Sequence, residues 1–427
     1  MKKFKVITFG CKVNQYDSGI LISRLVKKYG FEKIELGGEE EGDFVIINTC
    51  AVTRSAFNKS QKAIKKTRKE NPGVKIFVTG CAVAVYRELL EQILDKDIKL
   101  SSVNHQHPRE TLRELECFLN LANRKNQIKE KIALSDRSKN RYFLKIQDGC
   151  DQFCSYCIIP YARREKINKN PEDVIREIRK AEQAGYREVV LTGIHIGRYK
   201  SGQIKLENLL ENILRETEIK RIRLSSIEVN EITPEIAGLI KQNSRICPHL
   251  HIPAQSGSDK ILKLMNRPYR KKDFIQKVAF LKKEIPRICL TTDVVVGFPG
   301  EGDDDFEETR EFCRKIGFSK IHVFTYSEHP KTAAAKLRSK NSKADKTARS
   351  RSLRELSDKL REEKLANFKD REMDLVVERL NRQEKTFVGK SRFSFDIKGD
   401  LQKIGGEKIR RGDLVKYSYQ KGCDQIF

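Results

Sequence analysis

Three short apolar runs near the start of the chain, residues 5–9, 44–48 and 74–78, each lead into a cysteine: Gly10-Cys11, Thr49-Cys50 and Gly80-Cys81. Helical patterns separate them. One opens at the capping pair Asp17-Ser18 and stops at Gly30, and another covers residues 55–69 before Asn71-Pro72-Gly73. Continuous apolar strands alternating with helices predict a parallel α/β sheet, because strands covered on both faces lose the polar/apolar alternation of half-exposed ones. In such a sheet the carboxyl ends of the strands share one edge, where ligands bind. The three cysteines should therefore converge in space. Three thiolates are one short of a closed zinc site, and they suit a 4Fe–4S cluster with one iron left open. Cys117 lies in a helical run and reads as core.

A second strand-like run, residues 142–146, leads into Cys150, Cys154 and Cys157, spaced Cys-x3-Cys-x2-Cys. Three cysteines so close on one loop point to a bound metal or cluster. Zinc would need a fourth ligand, for which His195, His249 or His251 serve in principle. The spacing, with Tyr156 just before the third cysteine, resembles the signature of radical S-adenosylmethionine (SAM) enzymes. That resemblance implies a 4Fe–4S cluster whose unique iron is chelated by SAM, and a 5′-deoxyadenosyl radical formed on reduction.

Further strands are expected at residues 188–192, 221–225, 250–252, 292–296 and 320–324, with helices at 170–184, 206–217 and 272–284 between them. With the strand before Cys150 these make a partial (β/α)6 barrel, whose function belongs at the strands' carboxyl ends. Polar and glycine residues follow the strands at Thr192-Gly193, Ser225-Ser226-Ile227-Glu228, Gln255-Ser256-Gly257-Ser258 and Gly297-Phe298-Pro299-Gly300-Glu301. Glycine permits close backbone approach to a ligand, and Ser, Gln and Glu can bond a ribose or an amino acid group. Tyr156, Thr192, Gly193, Ser226, Glu228 and Gln255 are the candidate cofactor contacts, and turn chemistry is the alternative for each. Cys247, Cys289 and Cys313 follow no ligand spacing and read as packing residues; Cys423 receives no role.

The tail changes character. Short strand-like runs at 374–378, 386–390, 393–397 and 413–417, with turns expected at Lys398-Gly399-Asp400 and Gly405-Gly406, suggest a small antiparallel β-barrel. The formal net charge of +27 fits a polyanionic partner such as nucleic acid. Residues 331–360 are strongly basic and precede this barrel, whereas the basic residues of 54–75 read as a solvated helix face. No stretch approaches the roughly 18 apolar residues of a membrane span, and the first residues lack a signal peptide's apolar region, so a cytoplasmic protein is expected.

Taken together, the chain resembles the methylthiotransferases of the radical-SAM superfamily. The resemblance rests on Phe9-Gly10-Cys11-Lys12-Val13-Asn14-Gln15-Tyr16-Asp17-Ser18, Asn48-Thr49-Cys50-Ala51-Val52-Thr53, Thr79-Gly80-Cys81, and Asp148-Gly149-Cys150 through Pro160-Tyr161-Ala162-Arg163. The runs 224–228 and 249–258 fit as well, and the tail is weakly similar to the family's RNA-binding TRAM domain. Departures fall at Arg164, where glycine is usual, at Ala82-Val83-Ala84, and at Val229, where proline is usual.

The resemblance implies an N-terminal domain over residues 1–125, a radical-SAM barrel over 136–365 and a TRAM-like domain over 368–427. It also implies two 4Fe–4S clusters, on Cys11/Cys50/Cys81 and Cys150/Cys154/Cys157, and SAM. The Gly10–Asp17 and Asn48–Arg54 contexts are most similar to the branch that acts on N6-threonylcarbamoyladenosine at position 37 of tRNA. The implied partners are tRNA and an electron donor such as flavodoxin or ferredoxin. Other branches act on isopentenyladenosine in tRNA or on a ribosomal-protein aspartate. A metal-binding RNA protein without catalysis is the non-enzymatic alternative. No acid–base pair in the sequence demands a catalytic role.

Overall fold

In the computed structural model, which describes residues 1–35, 41–121, 140–338 and 341–420, the N-terminal runs form one parallel sheet. Its strands are β1 (Lys3–Thr8), β2 (Glu32–Lys33), β3 (Phe44–Thr49), β4 (Lys75–Gly80) and β5 (Ile98–Leu100), in the order β2-β1-β3-β4-β5. The central strand β3 is buried at every position, which is why its sequence shows no alternation. Its successive side chains serve two cores. Phe44 and Ile46 pack with Leu21 and Leu25 of α1 (Lys12–Tyr29) and with Leu112 and Leu115 of α4 (Pro108–Phe118). Val45 and Ile47 pack with Phe57 and Ile64 of α2 (Arg54–Glu70) and with Val85 and Leu90 of α3 (Cys81–Glu91).

Helix α1 begins at Lys12, with Cys11 as its cap residue, rather than at Asp17-Ser18. Asp17 and Ser18 are buried and spend their polar atoms on the interior, so they are not available as caps. The helix ends as expected at Gly30, whose φ of +66° is a left-handed stop. Cys117 is exposed, contrary to the core reading, because α4 buries Thr111, Leu112 and Leu115 and turns position 117 outward.

The chain divides into two units: Met1–Arg137, Asp148–Ile167 and Ser327–Ala335 in one, and Ser138–Gln147, Asn168–Tyr326 and Lys336–Phe427 in the other. The first therefore includes the loop carrying Cys150, Cys154 and Cys157, and the short helix α5 (Ile159–Ala162).

The second unit holds six parallel strands. β6 (Tyr142–Lys145), β7 (Glu188–Thr192) and β8 (Arg221–Leu224) form one sheet; β9 (His249–His251), β10 (Cys289–Val296) and β11 (Lys320–Thr325) form another. Bridges at Ile222/Ile246 and Ser226/His251 join them into one curved array in chain order, the partial barrel expected. Intervening helices include α6 (Pro171–Gln183), α7 (Leu206–Glu216), α8 (Pro234–Gln242), α9 (Asp259–Leu264), α10 (Lys271–Glu284) and α11 (Asp303–Ile316). Cys247, Cys289 and Cys313 are buried among them, as packing residues should be, and Cys423 lies outside the described residues.

After α12 (Lys343–Ala366), the strands β12 (Glu372–Asn381), β13 (Thr386–Ser391), β14 (Asp396–Asp400) and β15 (Leu414–Ser418) make an antiparallel half-barrel in the order β14-β13-β12-β15. Lys398-Gly399-Asp400 is strand rather than turn. Gly399 is needed there for packing, since a Cβ would lie 2.5 Å from Cζ of Tyr417. Gly405-Gly406 is a turn, with positive φ at both residues.

The half-barrel is clamped to the amino ends of the barrel strands. Glu188, fully buried at the start of β7, pairs with Arg221 (2.6 Å), Arg223 (2.8 Å) and Arg141 (3.5 Å). Arg221 and Arg223 also donate to backbone carbonyls of Lys390 and Ser391 at 3.3 and 2.9 Å. Burial alone would raise the Glu188 pKa, but the Arg223, Arg221 and Arg141 charges overcome it and hold the carboxyl at about 2. No helix among the described residues is long and apolar enough to cross a membrane.

Candidate functional site

In the first unit Cys11, Cys81 and Cys150 each follow a glycine of positive φ. Gly10, at φ +98°, turns the chain so that Cys11 caps α1; a Cβ on Gly10 would lie 2.9 Å from Sγ of Cys50. Gly80, at φ +99°, lets Cys81 open α3; a Cβ there would meet Oδ1 of Asn48 at 2.3 Å. The loops are pinned by asparagines from the same motifs. Asn14 donates to the carbonyls of Phe9 (2.9 Å) and Thr49 (2.8 Å), and Asn48 donates to the carbonyl of Asn14 and the hydroxyl of Ser18, both at 2.9 Å. The Cys11, Cys50 and Cys81 thiols lie close enough to act on one another electrostatically, so the expected convergence is met.

Cys11 is exposed, whereas Cys50 and Cys81 are buried. Burial pushes the Cys50 thiol up, and it pushes Cys81 up to about 12 against the opposing charge of Arg163. Without a cation these thiols stay protonated. A bound metal replaces the protons, which is how thiolate sites form. His105 Nε2 lies 3.6 Å from Sγ of Cys81.

Arg163 ties this site to the second cysteine loop. Its side chain is wholly buried. Nη1 donates to Asp148 Oδ2 at 2.6 Å, and Nη2 donates to Asn14 Oδ1 at 2.7 Å and Asp17 Oδ2 at 2.8 Å. Desolvation opposes the charge, but Cys81, Asp148, Asp17 and Cys11 together hold the guanidinium well above its ordinary pKa. Its Nε is buried without a hydrogen-bond partner among the described residues. A cluster with sulfide acceptors would satisfy the orphan donor, so the residues present fit such a group.

Asp148 precedes the Cys150 loop and accepts from the Gly149 amide at 2.8 Å. At Gly149, φ is +76° and a Cβ would lie 1.9 Å from the carbonyl oxygen of Glu165. Cys154 is buried; Cys150 and Cys157 are partly exposed. The loop closes through a Cys157 amide to Cys154 carbonyl bond of 2.9 Å, and the Ala334 amide donates to the Ser155 carbonyl at 2.7 Å. Tyr156 lies between Ser155 and Cys157 on this loop, and Phe153, beside Cys154, is 54% exposed. His329, its pKa lowered by burial, accepts from the Tyr86 hydroxyl at Nδ1 and donates from Nε2 to the Val52 carbonyl at 3.0 Å, which fixes the chain beside Cys50.

In the second unit the other candidate contacts stand at or just beyond strand ends. Thr192 is buried at the end of β7; its carbonyl accepts from the Ile146 amide at 2.9 Å. Gly193 sits so close to Gln147 that a Cβ would lie 2.7 Å from that residue's carbonyl. Ser226 bridges to His251. Glu228 caps a 3₁₀ turn, and its carboxylate pairs with Arg267. Gln255, at φ +63°, exchanges backbone bonds with β10. The sequence reading missed Arg163, His105 and the Tyr86–His329 pair. Only Arg163 carried a signal, its place in the motif after the third loop cysteine.

Residues 144–313 match a profile described as the Radical SAM superfamily, and residues 3–101 match the uncharacterized protein family UPF0004. Among curated proteins, the chain is 35% identical to the threonylcarbamoyladenosine tRNA methylthiotransferase MtaB of Bacillus subtilis (strain 168), over 97% of this chain and 94% of that protein. It is 39% identical to MtaB of Chlamydia pneumoniae, over 78% and 76%. It is 34% identical to the tRNA-2-methylthio-N(6)-dimethylallyladenosine synthase of Thermodesulfovibrio yellowstonii, over 97% and 95%. Among solved structures, the radical S-adenosylmethionine methyltransferase TsrM of Kitasatospora setae, with tryptophan and aza-SAM bound, superposes with a TM-score of 0.57 at 13% identity. That match covers 78% of this chain and 75% of TsrM, and is a likeness of fold.

Proposed function

The chain belongs to the radical-SAM tRNA methylthiotransferases, and we propose that within this family it acts on N6-threonylcarbamoyladenosine at position 37, adding a methylthio group at C2. The likeness to the MtaB proteins supports the branch, and the chemistry rests on two cysteine triads in one unit, with Arg163 bonded to the motifs of both. In it, Cys150, Cys154 and Cys157 hold the cluster that binds SAM, and Cys11, Cys50 and Cys81 hold a second. Tyr156, Thr192, Gly193, Ser226, Glu228 and Gln255 contact SAM. Residues 1–125, 136–365 and 368–427 divide the work into sulfur handling, radical formation and RNA binding.

When bound, these groups supply hydrogen abstraction from an unactivated aromatic carbon and a sulfur for transfer. A side-chain base cannot remove such a hydrogen, which fits the lack of an assigned acid–base pair. What the chain's own residues do is hold and shield. Arg163, held by Asp17 and Asp148, places a buried N–H donor beside sites that become anionic. Burial of Cys50 and Cys81 keeps water from that side of the sulfur site. Arg267 fixes the direction of the Glu228 carboxylate.

The partners in this reading are tRNA, drawn by the +27 charge, and an electron donor such as flavodoxin or ferredoxin; acting on tRNA, the protein works in the cytoplasm. The test is an anaerobic assay with SAM, a reductant and tRNA carrying either threonylcarbamoyladenosine or isopentenyladenosine, read by nucleoside mass spectrometry. Methylthio product from the first tRNA alone is expected. Product from the second alone would assign the branch represented by the T. yellowstonii relative. Replacing Cys11, Cys50 and Cys81 by Ala should spare SAM cleavage and stop product.

A further inference from the structure

His251, Asp293 and His322 stand on three adjacent strands of the second unit, β9, β10 and β11. The register sets His251 beside Thr291 and Asp293 beside His322. Since Thr291 and Asp293 are two residues apart on one strand, all four side chains leave the same face of the sheet. One donor atom from each of His251, Asp293 and His322 lies within 4.8 Å of the other two. His251 Nε2 is 3.3 Å from Asp293 Oδ1, and the His251 and His322 ring centroids are 5.7 Å apart.

The donor types and their support are those of a cation site. Two imidazoles and one carboxylate cover one face of a coordination sphere and leave the remaining positions open; imidazole suits zinc, iron, copper and nickel. The His251 ring is oriented from behind. Its Nδ1 lies 2.9 Å from the Thr291 hydroxyl, which is also 3.0 Å from His249 Nε2. That bond leaves Nε2 turned toward Asp293, the arrangement by which outer hydrogen bonds fix a metal-binding histidine. Access differs along the triad: His251 and Asp293 are 15% and 28% exposed at the side chain, and His322 is exposed. Donors around an ion about 2.1 Å away sit roughly 3–3.5 Å apart, so rotation of the exposed His322 ring is enough to close the set.

We propose that His251, Asp293 and His322 form a binding site for a divalent transition cation of the zinc class, separate from the cysteine sites and held in position by Thr291. The site does not depend on which tRNA the protein modifies.

Cobalt is the probe. The reconstituted full-length protein is desalted, dialysed anaerobically against Co²⁺, and its cobalt and iron are counted by mass spectrometry. One cobalt per chain is expected at this site, displaced by Zn²⁺, which binds such donors more tightly. His322→Ala removes an exposed ligand and should lose that cobalt while iron content and thermal melting match the wild type. Thr291→Val keeps all three ligands and should weaken cobalt binding about 10–100-fold. A wild type that retains no cobalt, or a His322→Ala variant that retains the same amount, overturns the proposal.

Discussion

Replacing Arg163 by Met tests whether this side chain holds the cysteine-bearing unit together. The substitution keeps a long apolar stem and removes the charge. It leaves Asp17 and Asp148, whose side chains are 7% and 1% exposed, without the bonds of 2.8 and 2.6 Å that now satisfy them. It also removes the 2.7 Å donor to Asn14. Breaking a buried pair by deleting one partner costs about 3–5 kcal/mol, because the remaining charge is stranded. In a unit of this size, about 1 kcal/mol lowers the melting temperature by about 2–4 °C, so the expected drop is about 6–20 °C. Arg163→Lys should fall between, since an ammonium cannot reach three acceptors in a planar fork. Adding Asp17→Asn to Arg163→Met should recover part of the loss by removing one stranded carboxylate. The assay is chemical and thermal denaturation of the full chain before cluster reconstitution. A change below about 1 kcal/mol, or no recovery in the double variant, would refute the reasoning.

Two other expectations follow from particular contacts. The Glu188 pKa, about 2 when folded against an ordinary value of 4.5, gives stability that is present above 4.5 and is lost as pH falls toward 2. Urea titrations of wild type and Glu188→Gln should therefore differ by several kcal/mol at pH 7 and converge as pH drops below about 4.5; a constant gap would contradict this. Gly149→Ala must move the loop, because its Cβ has nowhere to go beside Glu165. Iron bound by Cys150, Cys154 and Cys157 should fall in that variant while Gly238→Ala, at a helical position where nothing lies within 4 Å, leaves it unchanged.

Much of the architecture was legible because parallel strands buried on both faces print themselves as apolar runs. Residues 44–48, 74–78 and 188–192 foreshadow β3, β4 and β7, which are buried at every position but Lys75. The errors came where a residue with a strong local meaning had been taken for a tertiary purpose. Asp17 and Ser18 look like a cap and are interior bonding partners; Gly399 looks like a turn and is a space for Tyr417. Cys117 looked like core because its helix is amphipathic, yet it falls on the outward side of α4. The cysteine motifs were legible from spacing alone. The bond between them was not: the motif includes Arg163, but its place there does not say that the side chain is buried against Asp17 and Asp148.

The most direct test of the account is iron and sulfide content per chain after anaerobic reconstitution, measured on wild type and on two triple variants. One has Cys11, Cys50 and Cys81 changed to Ala; the other has Cys150, Cys154 and Cys157 changed. The account predicts about eight irons in the wild type and about four in each variant. About four irons in the wild type, left unchanged in either variant, would contradict it.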